Sequence, residues 1–274
     1  MSKGYVFYAK GNSYVKQACL AAVSLKINSE IPISIITNSR VPKKYKSIFD
    51  FVIKPSWIEH DNSRYDVLNR WKIYHNSPYD ETIVLDTDIL VLNQLDAWWN
   101  FFQNYNLFYL SKVFTYRSTL ITNDYYRKSF TYNNLPNLYN GLHYFKKSPS
   151  SQDFFTWVEL ISKNWELFYG QYCKEFYPKQ PSMDLTCAIA SKILNNDTEI
   201  TNRKVDFLKF VHMKPYVQDW QSVKDNWQDK VPVYLTNDLK LYIGNYLQDG
   251  IFHYVNNDFA TESIVSTYEK YLGI

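Results

Sequence analysis

Glu81-Thr82-Ile83-Val84-Leu85-Asp86-Thr87-Asp88-Ile89-Leu90-Val91-Leu92 is the stretch on which the reading of this chain turns. Ile83-Val84-Leu85 has the length and β-branched content of a buried strand. It delivers two carboxylates at i and i+2, and a second apolar run follows at once. Aspartates are depleted in strands and costly to bury. Two of them between core-forming runs need a partner, and a divalent cation with hard-oxygen chemistry, Mn²⁺ or Mg²⁺, is the simplest. The bland alternative is a strand that ends at a turn, with Asp86 and Asp88 solvated there.

The flanks suit an α/β fold with a Rossmann-like, mostly parallel central sheet flanked by helices. Tyr5 to Ala9 reads as a first strand, Lys10-Gly11-Asn12-Ser13 as a turn with Ser13 placed to cap a helix. Val15, Ala18, Cys19, Ala22, Val23 and Leu25 then sit mostly at helical spacing up to about Ile27. Ile31 to Thr37 reads as a second strand and completes a βαβ unit, which implies a parallel sheet with a right-handed crossover. Phe51 to Ile53 is a short third strand. Arg64 to Asn76 reads as a helix, and it leads straight into the strand that carries the aspartates.

Beyond Leu92, Leu95 to Phe102 reads as a short apolar helix. Asn104 to Pro136 has no clear periodicity, although Leu107, Tyr109 and Val113 alternate as a strand would. Leu142 to Phe145 is a further strand, and Gln152 to Leu167 and Met183 to Leu194 are helices. After Phe207 to His212 the pattern fades until Leu239 to Ile243 and a C-terminal helix from Ala260. No repeat, low-complexity tract or linker divides the 274 residues, so one domain is expected, with a nucleotide-binding half over 1–100 and a sugar- and acceptor-binding half over 101–274.

Composition narrows the partners. A net charge of +3, with no long run of like charges, permits nucleic acid without indicating it. Three widely spaced cysteines with no Cys-x-x-Cys read as reduced thiols, neither a disulfide frame nor a zinc site. No stretch has the length of a signal peptide or a membrane span, so a cytoplasmic protein is expected. The one glycosylation sequon, Asn196-Asp197-Thr198, is read as chance. The 25 tyrosines exceed what a core needs, and most of them fit a coding bias that also enriches Asn and Lys.

In an open parallel sheet, ligands bind outside the carboxyl ends of the strands. Asp86 and Asp88 lie at such an end. A diphosphate held there through a metal also needs cations, and Arg70 and Lys72 sit on the helix just before; either is otherwise a solvated face. Tyr8 and Tyr14, near the end of the first strand, either cover a flat base or pack. His212 follows an apolar strand, where a satisfied core histidine is the bland reading. His253, in Gly250-Ile251-Phe252-His253-Tyr254, is its rival as a third metal ligand. His143 either packs or meets an acceptor.

The Gly-Asn-x-Tyr turn, the Lys-bearing helix and Ile-Val-Leu-Asp-Thr-Asp-Ile-Leu-Val, taken in this order, resemble the GT-A-fold glycosyltransferases. Within these they look most like the retaining glycogenin/galactosyltransferase-type family (family 8). The likeness runs from about residue 4 to 215. Leu138-Tyr139-Asn140-Gly141-Leu142 is similar to the family's Asn-Ser-Gly strand, Ser182-Met183-Asp184-Leu185 to its Asp-Gln segment, and Val211-His212-Met213-Lys214-Pro215 to its late His…Lys-Pro. Three departures stand out. Tyr139 takes the place of Asn, the loop between His212 and Lys214 is shortened and lacks Gly, and Asp184 is not followed by Gln.

The resemblance implies transfer of a hexose or related sugar from a nucleotide-diphosphate sugar, UDP-linked, with retention of configuration. Asp86, Asp88 and His212 would hold Mn²⁺ (or Mg²⁺), and Thr87 would lie in the donor-binding segment between the two aspartates. Asn140 and Gly141 would touch the donor sugar. Asp184 would lie near the anomeric carbon, as the one carboxylate nominated to assist, and Lys214 would contact phosphate. The acceptor stays open among a glycan, a protein side chain, a lipid-linked sugar and a modified nucleic-acid base. Two other classes compete. A haloacid dehalogenase-type phosphotransferase also places Asp-x-Asp after an apolar strand, with its first Asp as nucleophile; here Leu90 stands where Thr or Val is usual and no late acidic pair follows. A GT-A-shaped binding protein without turnover is the other.

Overall fold

The computed structural model describes residues 2–55, 57, 65–121, 127–201, 205, 207–218, 220 and 227–274. Its first strand, β1 (Lys3–Ala9), leads into helix α1 (Asn12–Asn28). Gly11 makes that junction with a φ of 94°, a backbone conformation that favours glycine, and Asn38 accepts its N–H at 2.8 Å. Ser13, expected as the cap, instead lies inside the first turn, and no side chain caps the helix. β2 (Ile33–Thr37), β3 (Phe51–Ile53), α2 (Lys72–Asn76) and β4 (Glu81–Leu85) follow. The helix expected over 64–76 is a 3₁₀ turn, Asp66–Asn69, and then the short α2; Arg64 lies outside the described residues.

The long acidic stretch is two strands, not one. β4 ends at Leu85, and β5 (Ile89–Val91) starts after the carboxylates. Next come α3 (Asp96–Phe102), β6 (Leu107–Leu110), α4 (Lys128–Thr131), β7 (Tyr139–Lys146), α5 (Pro149–Lys163), α6 (Trp165–Tyr172) and α7 (Met183–Leu194). The single helix expected to reach Leu167 breaks at Asn164, whose φ and ψ of −129° and 38° leave the helical region. Its side-chain amide caps the finished helix by donating to the Leu160 carbonyl at 2.9 Å. The chain closes with β8 (Phe210–His212), β9 (Val233–Leu235), β10 (Leu241–Ile243), β11 (Tyr246–Leu247), β12 (Ile251–His253) and α8 (Glu262–Leu272).

Among the described residues the main sheet has six strands in the order β3-β2-β1-β4-β7-β6. β3, β2, β1 and β4 run parallel; β7 is antiparallel to both β4 and β6. The expected mostly parallel sheet with flanking helices is therefore present. Alternate residues face opposite sides, as the strand period requires. Tyr5, Phe7, Ile83 and Leu85 join α1, α3 and α8 in one core cluster, whereas Val6, Ile36 and Val84 join α5 and α7 in another. Both faces are covered, which is why β4 reads as an unbroken apolar run.

β5 leaves this sheet for a second one of three strands, ordered β5-β12-β8. Ile89 pairs with His253 on the antiparallel side of β12, and His212 pairs with His253 on its parallel side. The outer edge of β5 is closed by α1: Ser24 Oγ accepts the Val91 N–H at 2.9 Å, and the Asn28 amide donates to the Val91 carbonyl at 3.1 Å. Edge groups that would otherwise sit unpaired in a buried place are thus satisfied by polar helix side chains. A third sheet, β11-β10-β9, packs onto the first core cluster through Leu241 and Ile243 of β10. Cys19, Cys173 and Cys187 are free and buried. Among the described residues no helix is long and apolar enough to cross a membrane.

Gly250 turns the chain into β12 with φ at 73°, and a Cβ there would run into the backbone carbonyl oxygen of Lys209. Gly250→Ala is expected to destabilise the protein by about 1–3 kcal/mol from the backbone conformation alone, more with the clash. Chemical denaturation reads this directly, and the same variant should loosen the strand that carries His253.

Candidate functional site

The gap between β4 and β5 places Asp86 and Asp88 where the chain passes from one sheet to the other. Asp86 is the first residue past β4, and its N–H donates to the Gly141 carbonyl at 3.0 Å. Asp88 sits just before β5, and its carbonyl accepts the Tyr254 N–H at 3.1 Å. Their side chains keep only 21% and 23% exposure. Among the described residues, ligand-capable atoms of Asp86, Asp88 and His253 all lie within 4.8 Å of one another.

Each carboxylate has its own counter-charge. Arg70 Nη2 meets Asp86 Oδ1 at 2.6 Å, and His253 Nε2 meets Asp88 Oδ2 at 3.0 Å. The two aspartates still respond in opposite directions. Burial raises the Asp86 pKa, Arg70 pulls it down, Asp88 pushes it up again, and the balance is upward. Burial works to raise Asp88 too, but His253 outweighs it and the balance is downward. Burial is the largest single influence on both carboxyls.

His253 answers the same forces. Burial works to lower its pKa, and Asp88, helped by Asp86, carries it above the ordinary histidine value. His212 has no carboxylate among its influences, and burial with the neighbouring His253 drives it well below that value. The two rings meet Nδ1 to Nδ1 at 2.9 Å. With His212 neutral, His253 Nδ1–H donates and His212 Nδ1 accepts. That assignment leaves the proton of His212 on Nε2, which is buried with no hydrogen-bond partner.

The residues fit a divalent cation. Two carboxylates and an imidazole form a hard-oxygen and nitrogen donor set suited to Mn²⁺. An imidazole whose second nitrogen donates to an acceptor is also the usual arrangement behind a metal ligand. The third member of the group, however, is His253. His212, expected in that role by its place before Met213-Lys214-Pro215, is one strand over and touches His253 instead. The reason is register: both histidines end strands of the small sheet, but β12 is its central strand, next to β5.

Asp184 forms a second constellation. It lies in the first turn of α7, which Ser182 caps by accepting the Leu185 N–H. Asp184 Oδ2 pairs with Arg127 Nη1 at 2.7 Å, and Oδ1 accepts the Asn140 N–H at 2.9 Å and the Asn140 side-chain amide at 3.3 Å. Burial works against its charge, yet Arg127, Lys214 and the Asn140 amide hold the pKa below the usual carboxylate value. Both of its oxygens are engaged by these partners.

The remaining expected residues divide. Gly141 belongs at the site, because a Cβ there would lie 2.7 Å from Phe210 and 3.5 Å from Asp86 Oδ2. Asn140 is buried, and its side-chain oxygen faces Cys187 Sγ at 3.7 Å. Lys214 is exposed just past β8. Tyr8 stacks on Trp57 with ring centroids 5.9 Å apart. Tyr14 is 54% exposed on α1. Thr87 is buried and turned away, its hydroxyl donating to Gln17 at 3.4 Å. Arg70 is occupied by Asp86, and Lys72 lies over the rings of Trp57 and Trp71 at 4.7 and 5.6 Å. His143 stacks on Tyr109 at 5.0 Å, and burial lowers its pKa to about 3.

One participant was not singled out in the sequence. Arg127 is buried, donates to the Leu138 carbonyl as well as to Asp184, and lies 3.8 and 4.2 Å from the rings of Phe130 and Tyr139. It falls in the stretch without periodicity, and its dense aromatic surroundings, Tyr126 among them in sequence, were the one available hint.

No protein-family model matches the sequence, and no curated protein matches it. Solved structures do resemble it in fold. The galactosyltransferase LgtC, in complex with donor and acceptor sugar analogs, aligns over 97% of this chain and 95% of its own, with 13% identity and a TM-score of 0.51. Mouse xyloside xylosyltransferase 1 in its apo form aligns over 92% and 97%, with 10% identity and a TM-score of 0.50. The bifunctional glycosyltransferase WbbM aligns over 98% of this chain but 49% of its own, with 11% identity and a TM-score of 0.52. The chain has the GT-A fold of these glycosyltransferases.

Metal titrations separate the two histidines. His253→Ala is expected to weaken Mn²⁺ binding more than about 100-fold, and His212→Ala by about tenfold, as for a group one step behind a ligand. A proton must leave His253 before a metal binds, so affinity should fall as pH drops below its raised pKa. The metal-free protein should show the converse. Because the folded pKa of His253 is raised, its pairing with Asp88 stabilises fully below the unfolded value of about 6.5, and that stability is lost as pH rises through the folded value.

Proposed function

We propose that the protein is a metal-dependent glycosyltransferase that moves a sugar from a nucleotide-diphosphate donor, uridine-linked, to an acceptor hydroxyl. The observation that carries this reading is the convergence of Asp86, Asp88 and His253 beyond the carboxyl ends of parallel β1, β2 and β4. This is where an open α/β sheet binds phosphate-bearing ligands, and the fold is one in which the similar solved structures are sugar transferases.

Each residue then has a part. Asp86, Asp88 and His253 hold the cation, and Arg70 fixes the orientation of Asp86 through its 2.6 Å contact. When bound, Mn²⁺ or Mg²⁺ supplies positive charge where the departing diphosphate gains negative charge. Lys214, exposed beyond β8 and close enough to act on Asp184 and both histidines, adds a cation on the phosphate side. The Tyr8–Trp57 stack offers a flat wall for the base. Gly141 leaves room for the donor beside Asp86, and Asn140 is held in place by Asp184.

Retention of configuration accords best with attack from the face the leaving group departs. Asp184 already spends its oxygens on Arg127 and Asn140, which disfavours a covalent intermediate on that carboxylate. Its part is to lock Arg127 and the Asn140 backbone beside the reacting carbon.

Release of UDP from UDP-glucose and UDP-galactose, with and without Mn²⁺, tests the reading. The wild type should release UDP only with metal. Asp88→Ala should abolish both that release and the metal-dependent thermal shift given by the donor. Donor binding that persists unchanged in Asp88→Ala would sink the assignment. Asp184→Asn, which keeps the shape but weakens the hold on Arg127, should lower the rate by about 10- to 100-fold with little change in donor affinity.

A further inference from the structure

Thr87 was expected beside the donor, and the structure turns its hydroxyl onto Gln17 of α1 instead, at 3.4 Å. Gln17 Nε2 in turn donates to Asn257 Oδ1 at 2.6 Å. We propose that Gln17 is a positioning residue: it ties the segment that follows His253 to the middle of the Asp86-Thr87-Asp88 loop and so fixes the spacing of the three metal ligands. The assignment rests on the metal-dependent reading above.

Helix geometry brings Gln17 to this spot. α1 buries an unbroken run from Gln17 to Leu25, and Gln17 and Ser24 are its polar members. Seven residues separate them, about two helical turns, so they share one stripe of the helix. Ser24 accepts the Val91 N–H at 2.9 Å, and Gln17 meets Thr87. The stripe therefore runs along β5, with about 10 Å of helix beside about 13 Å of extended chain. A buried amide needs partners at both its oxygen and its nitrogen. Gln17 and Thr87 are 5% and 6% exposed, and Thr87 and Asn257 meet that need.

The far end of this tether is strained. Val255 has a φ of 66°, and across it the Asn256 N–H donates to the Tyr254 carbonyl at 2.7 Å. A three-residue turn with a positive central φ is the rare, strained form of the γ-turn, and a β-branched residue suits it poorly. Such a conformation persists only where its surroundings hold it. Before it, the Tyr254 N–H donates to the Asp88 carbonyl at 3.1 Å, and the Tyr254 carbonyl also accepts the Trp227 indole N–H at 2.8 Å. After it, Gln17 holds Asn257, and Phe259 stacks on Tyr254 with centroids 4.6 Å apart.

Relaxation of Val255 to a negative φ would swing the chain on either side of it. The side toward β12 carries His253 and the Tyr254 contact with Asp88. Gln17 opposes that swing from the other side, and its grip on Thr87 makes the carboxylate loop the anchor. Asp86, Asp88 and His253 are thus held at one spacing before a cation arrives, which is what a preorganised metal site requires.

Mn²⁺ titrations of the whole protein without donor, followed by the EPR signal of free Mn²⁺, test this, with thermal melts of the metal-free protein alongside. Gln17→Met keeps the length of the side chain and removes both hydrogen bonds. It should weaken Mn²⁺ binding about tenfold, as for a group behind a ligand. Thr87→Val cuts the tether at its other end and should act in the same direction, and the two together should do little more than either alone. Val255→Gly accepts the positive φ without strain. With no strain left to oppose, adding Gln17→Met to Val255→Gly should cost less than about threefold. If Gln17→Met melts without a cooperative transition, Thr87→Val carries the same comparison with Val255→Gly. A lowered melting temperature with unchanged Mn²⁺ affinity would make Gln17 a core contact only and overturn the proposal. Equal losses of affinity with and without Val255→Gly would overturn it too. A wild type that takes up no Mn²⁺ sinks the metal-dependent reading and the tether with it, whereas wild-type binding that resists both Gln17→Met and Thr87→Val sinks the tether alone.

Discussion

Two carboxylates held at the seam between two sheets, mostly out of water, impose the condition that the rest of this structure meets. Asp86 ends the central strand of the large sheet, and Asp88 opens the edge strand of the small one. Neither position tolerates an unbalanced charge. Arg70 comes from the turn before α2 to serve one, and His253 from the last strand of the chain to serve the other. With His253, the two carboxylates bring ligand-capable atoms within 4.8 Å of one another, a donor set that suits a divalent cation.

Meeting the condition requires β12 to sit in the middle of the small sheet. Its two edges are taken by β5 and β8, so the chain must bring residues near 90, 210 and 252 together. Gly250 makes the entry turn, and Trp227 closes over the exit by donating its indole N–H to the Tyr254 carbonyl at 2.8 Å. Gln218 fixes the end of β8 through the His212 carbonyl at 2.7 Å. These contacts decide which histidine faces the aspartates and which stands behind it.

The aromatic content, set aside as coding bias for most tyrosines, has two separable uses. Much of it is core, as with Tyr5, whose hydroxyl accepts from the Trp99 indole at 2.8 Å, and Phe102 stacked on Tyr144. Elsewhere the rings carry cations: Arg127 between Phe130 and Tyr139, and lysines over Trp57 and Trp71. The rings add to the hold on these cations without replacing an acid: Arg127, flanked by two rings, still pairs with Asp184.

What was legible in the sequence was local. The strand before Asp86, the βαβ opening, the helix behind Asp184 and the acidic pair itself all follow from periodicity, turn chemistry and the cost of burying charge, which act over a few neighbouring residues. Only the tertiary structure decided the rest. That β4 and β5 belong to different sheets depends on a distant partner strand, in the register of Ile89 with His253. The approach of His253 rather than His212 to the aspartates, the inward turn of Thr87, the capture of Asp184 by Arg127 and the seating of Lys72 over Trp57 and Trp71 have the same origin. Each depends on which long-range neighbour fills the space beside a side chain. Residue type and spacing say what a group is able to do, and packing between distant segments selects which of those options is used.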